Sequence, residues 1–75
     1  MQQTRRLTAI IEREGNGYVA LCPELDVASQ GDSLEEARAN LIEALTLFFE
    51  TADASEVAQR LHPDVFVTHV EVPVG

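Results

Sequence analysis

Gly17-Tyr18-Val19-Ala20-Leu21-Cys22-Pro23-Glu24-Leu25, followed closely by Ser29-Gln30-Gly31-Asp32-Ser33-Leu34-Glu35-Glu36-Ala37, reads as strand, turn, strand and capped helix with no residue to spare. The apolar run Tyr18 to Cys22 is a strand, and Pro23, which has no amide to give to a ladder, stops it. Val27-Ala28-Ser29-Gln30 is a third short strand closed by Gly31-Asp32. Ser33 then has the signature of a capping box: its hydroxyl can accept from the Glu36 amide while the Glu36 carboxylate reaches back to the Ser33 amide.

Working outward, Leu7 to Ile11 is β-prone and continues through Glu12-Arg13-Glu14 into Gly15-Asn16-Gly17, residues that tolerate positive φ and make a hairpin turn. Downstream of Ser33, the residues Leu34, Ala37, Leu41, Ala44, Leu45 and Phe48 recur at three- and four-residue spacing, with Ile42 and Phe49 widening the stripe. That spacing predicts an amphipathic helix to about Thr51, with one wide face on the sheet. A second start at Asp53 or Ser55 predicts a short extra helix, ended by His62-Pro63-Asp64. Val65 to Val72 is the most β-prone run in the chain and is expected to form a last strand, ended by Pro73. The expected order is β-β-β-α-β, an α+β two-layer sandwich whose final strand can lie parallel beside the first.

Two further features narrow the function. A chain of 75 residues is one domain, residues 1–75, with a marginal core that another chain is expected to supplement. It carries 13 acidic residues against 5 arginines, a net charge of −8, which repels phosphate backbones and draws basic partners. Direct nucleic-acid binding by the body of the domain is therefore not expected. The single cysteine forms no internal disulfide and has no zinc-site spacing, and residues 1–12 hold too few apolar side chains for a signal-peptide core or a membrane span. A soluble, cytoplasmic protein without cofactor or metal is the expectation.

The segments G-Y-V-A-x-C-P-E-L and S-Q-G-D-S-x-E-E-A, with the helix that follows, resemble the HicB family of antitoxins over roughly residues 5 to 72. The resemblance implies a partial ribonuclease-H-like fold and a protein partner. Members of the family neutralise HicA-type toxins, small basic RNA-cleaving proteins, by masking their active site. Many also carry a C-terminal DNA-binding domain; here only Pro73-Val74-Gly75 follows the last expected strand, so operator repression does not carry over. Asp26-Val27-Ala28 stands where many members read Pro-Gly-Cys. An alternative within the same fold is a stand-alone homo-oligomer with another partner.

Catalysis needs more than these residues promise. Two-metal nuclease chemistry requires carboxylates that converge, and Glu12, Asp26, Asp32 and Asp64 come from different elements. Cys22 reads as a small core residue, and His62 and His69 have no positioned partner. Metal-dependent nuclease activity is thus a distant third reading, and the chain is read as no enzyme. The acidic residues Glu12, Asp26, Asp32, Glu35 and Glu36 are the candidate contacts for a basic toxin. Tyr18, Ala20 and Cys22 on one side of the second strand, with Val19 and Leu21 on the other, are the candidate surface of a homodimer or homotetramer, because one helix leaves one sheet face uncovered.

Overall fold

Three antiparallel strands, β1 (Ile10–Glu14), β2 (Gly17–Cys22) and β3 (Val27–Gly31), form a sheet in the order β1-β2-β3 in the computed structural model. Helix α1 (Leu34–Thr51) crosses one face, and a short helix α2 (Ala54–Arg60) follows. The structure describes residues 4–75; Met1 to Gln3, which open the stretch read as too poor for a signal-peptide core, lie outside it. The architecture is α+β, as the turns and caps predict.

The β1–β2 hairpin turns through Gly15, whose φ of 60° suits the first central position of a type II′ turn, where glycine carries no steric cost. Register then sorts the side chains. Ile11 opposes Ala20, Ala20 opposes Ser29 and Cys22 opposes Val27, and these share the face beneath α1. Ile10, Glu12, Val19, Leu21, Ala28 and Gln30 share the other. Ala20, Cys22, Leu25, Ala37 and Leu41 are the fully buried core, with Ile11, Tyr18, Val27, Leu45 and Phe48 packed around them. Burying a leucine side chain contributes about 2 kcal/mol, so Leu25 and Leu41 carry much of so small a core.

Strand β1 begins three residues later than the β-prone run, at Ile10 rather than Leu7. The reason is local. Strand β2 ends at Cys22, so no backbone partner lies opposite Thr8, and the Thr8 amide donates instead to the Glu24 carboxylate at 3.0 and 3.2 Å.

Helix α1 starts as the cap predicts. The Ser33 Oγ accepts from the Glu36 amide at 3.0 Å, and Ser33 is extended, with φ −135°. The return bond differs from the expected one, because the Glu36 carboxylate accepts from the Asp32 amide, one residue earlier, at 3.2 Å. Gly31 sets how close the helix lies: a Cβ there would stand 2.5 Å from the Ala37 nitrogen and 2.8 Å from the Glu36 carbonyl carbon. Both are backbone atoms, so any larger residue forces the helix away from β3. The Asn40 side-chain amide donates to the Gln30 carbonyl at 2.8 Å and fastens the same edge. In consequence α1 lies over β3 and β2 and barely reaches β1.

The last element differs from expectation. Asp53 caps α2, accepting from the Glu56 amide at 2.8 Å, but beyond it residues 62–75 pair with none of the described strands. The expected fourth strand, Val65 to Val72, is therefore not formed, and its side chains from Phe66 on lie in water rather than on the sheet. Phe66 is 87% exposed and Val70 78%. Ser33→Ala should cost about 1 kcal/mol, since the Glu36 amide loses its acceptor; urea denaturation of the two proteins gives the difference, and equal midpoints would contradict the capping role.

Candidate functional site

The best-built polar cluster is the corner where β2 turns into β3. Glu24, only 6% exposed, accepts from the Thr8 amide, from the Thr8 hydroxyl at 2.7 Å and from the Cys22 thiol at 3.5 Å. Its carbonyl accepts from the His62 amide at 2.7 Å, and the Arg60 guanidinium donates to the Leu25 carbonyl at 3.1 Å while lying 5.0 Å from the centre of the Phe48 ring. Asp26 turns the corner with a φ of 56°, a conformation that aspartate tolerates better than most residues. Glu24, Thr8 and Arg60 were not singled out in the sequence. The signals for Glu24 are its place after Pro23, where strand pairing has to end, and its presence in the G-Y-V-A-x-C-P-E-L segment that carries the family resemblance.

Electrostatics make this corner a fastening rather than a reactive centre. Burial works against ionisation of Glu24, yet the bonds from the Thr8 hydroxyl and the Cys22 thiol, together with backbone amides, outweigh it and hold the carboxyl below its ordinary value. Burial is also the main cause that pushes the Cys22 thiol up, with the neighbouring Glu24 charge adding to it. A nucleophilic thiolate is therefore disfavoured at Cys22. Among the described residues, no three His, Cys, Asp or Glu side chains come together as metal ligands would. Glu12 sits on the open face of β1, Asp26 at the β2–β3 corner, Asp32 at the far end of β3 and Asp64 beyond α2.

The expected partner-binding acids divide in the same way. Asp32, Glu35 and Glu36 gather at the start of α1, and the register brings the β1–β2 turn to that end of the sheet, since Tyr18 opposes Gly31. Glu14 joins them around a shallow cleft of about 430 Å³ lined also by Tyr18, Gln30 and Asp32. Glu12 lies one pleat from Glu14 on the same face of β1. Asp26 stands apart at the opposite end.

The expected self-association residues need a correction. Ala20 and Cys22 are fully buried beneath α1 and have no surface to offer a second chain, because the small side chains of β2 are what let the helix approach. Tyr18, on that same face, packs against the core with Arg13 5.9 Å from its ring centre. Val19 and Leu21 remain half-buried on the opposite face, beside Ile10, which is 37% exposed. A second apolar surface was not foreseen. Leu7, Ala9, Leu41, Ile42, Leu45 and Phe49 line an open groove of about 840 Å³ between α1 and residues 4–9, the segment that leads into β1.

The Glu24 bonds set a pH dependence. A carboxyl whose folded pKa is depressed adds stability above the ordinary glutamate value, about 4.3, and that stability is lost as pH falls through the lower folded value. Glu24→Gln should therefore cost about 2 kcal/mol at pH 7, with the gap closing in acid; urea melts of both proteins at pH 7 and pH 3 measure it. A gap that ignores pH would assign the loss to packing instead.

Among proteins of known sequence, a UPF0150 protein of Helicobacter pylori strain J99 is 36% identical over 67 residues, covering 88% of this chain and 93% of the relative. Two UPF0150 proteins of Synechocystis sp. strain PCC 6803 are similar over shorter stretches. One is 52% identical over 46 residues, or 59% of this chain and 64% of the relative; the other is 42% identical over 52 residues, or 67% and 66%. No family model matches the sequence, and no solved structure matches it. No helix among the described residues is long and apolar enough to cross a membrane. The first similarity runs through the sheet, the capped helix and the Glu24 corner alike, and with nearly the whole relative covered, the chain belongs to the UPF0150 family.

Proposed function

We propose that this protein is a HicB-like protein-binding module that neutralises a small, basic, HicA-type RNA-cleaving toxin in the cytoplasm by covering its active site, and that it works as a homodimer or homotetramer without catalysis of its own. The observation that carries the reading is the gathering of Glu14, Asp32, Glu35 and Glu36 at one end of the molecule in a chain of net charge −8. Such an end presents carboxylates to the same groups that would otherwise grip RNA phosphates. It competes by resembling the backbone charge. The scattered placement of Glu12, Asp26, Asp32 and Asp64 supports binding over two-metal hydrolysis. The sequence resemblance set out above supplies the class of partner.

Electrostatic steering gives the test. Association with a small basic HicA-type toxin should slow at least about tenfold between 50 and 500 mM salt, as screening shortens the field. Glu35→Arg should weaken the complex about tenfold, leave the fold intact and relieve protection of RNA in a cleavage assay. The protein alone, with magnesium, should leave RNA whole. Association indifferent both to salt and to Glu35→Arg would overturn the acidic-end reading.

A further inference from the structure

We propose that segment 65–72 leaves its own body and completes the sheet of a second copy, lying as a fourth strand along the open edge of β1 with its apolar side in the groove beside α1. The proposal rests on the self-association in the reading above and supplies its structural means. Three features of the molecule meet in it: a strand without a ladder, an edge without a strand and a groove without a filling.

The segment has the pattern of a half-buried strand. Phe66, Val70, Val72 and Val74 alternate onto one side, interrupted only by Thr68, while the other side carries Val65 and Val67 and then His69 and Glu71. The first set is left in water: Phe66 is 87% exposed, Val70 78%, Val72 66% and Val74 91%. Contiguous exposed apolar surface of this kind marks a contact with another chain. The protein measures 50 × 28 × 21 Å with a radius of gyration of 14.6 Å, against about 11 Å for a compact chain of this length.

The receiving site matches it. Among the described residues only one edge of β1 is paired, with β2, so its five residues Ile10–Glu14 offer a free edge to part of segment 65–72. Because Gly31 and Asn40 hold α1 over β3, the helix leaves the β1 side of its apolar face open. Leu7, Ala9, Leu41, Ile42, Leu45 and Phe49 line the gap. Arg5 and Arg38 line the groove with Glu50, a small local excess of positive charge in an acidic protein, and the segment brings Asp64 and Glu71.

The exit route favours exchange over closure. The His62 amide is held by the Glu24 carbonyl, whose carboxylate holds Thr8, so the tail departs beside the beginning of β1. Pro63 restricts His62 to extended backbone and sends the chain outward. Two copies can then trade tails reciprocally about a two-fold axis, each strand running parallel to the β1 that receives it.

Disulfide trapping between two full-length, differently tagged chains tests the arrangement. One carries Ala9→Cys, and the other carries a cysteine in place of Thr68, Val70 or Val72; native Cys22 is buried and out of reach. After co-refolding and oxidation, a disulfide joining the two tags is expected for one or two of the three positions. A chain bearing both substitutions that closes only on itself would overturn the exchange, as would absence of any bond to Ala9→Cys. Sedimentation supplies a second measurement. Val70→Asp should weaken the dimer at least about a hundredfold, because a carboxylate would enter an apolar groove. If Val70→Asp leaves the dimer unchanged, the exchange fails while self-association stands. If the unsubstituted protein is monomeric at every concentration, both fail. The Glu35 experiments on the basic partner are untouched by either result.

Discussion

A single buried residue, Glu24, ties together three parts of this chain through its carboxylate and its backbone carbonyl. Glu24 takes up the Thr8 amide and hydroxyl, receives the Cys22 thiol and, through its carbonyl, holds the amide of His62. Leaving so buried an acceptor unsatisfied would be expensive, so the N-terminal strand, the β2–β3 corner and the end of α2 have to arrive together. With a core of only five fully buried apolar residues among those described, this corner matters more than it would in a larger domain. It also decides where the tail leaves the body.

A second constraint comes from a missing side chain. Gly31 lets the backbone of α1 approach β3 closely, and Asn40 fastens it there. The helix is thereby displaced from the centre of a three-stranded sheet, which leaves Ile42, Leu45 and Phe49 facing a gap beside β1. The placement makes sense for a sheet one strand wider. It also explains why a chain with so many apolar residues buries so few of them by itself.

The surface is thus divided by chemistry. Carboxylates collect where α1 begins and the β1–β2 hairpin turns, whereas apolar side chains collect at the β1 edge and along the tail. Charge acts at range and is weakened by salt; apolar contact acts only on touching and needs matched shape. A module with the two kept apart can join copies of itself through one region and leave the other free for a basic partner.

The sequence by itself determined the hairpin at Gly15-Asn16-Gly17, the stop at Pro23, the cap at Ser33 and the stripe of α1, because each depends on residues within a few positions of one another. Membership of an α+β class followed from their order. Other outcomes depended on contacts between distant residues. Tertiary structure moved the start of β1 to Ile10, as Thr8 found a side-chain acceptor sixteen residues away. It also consumed Ala20 and Cys22 in the core rather than at an interface, and it separated Asp26 from the other acids. The fate of Val65 to Val72 shows the division most plainly. β-propensity identified a strand, since that property is written along the segment, but a strand is completed only by a partner edge, and which edge is free is decided by how every other element has packed.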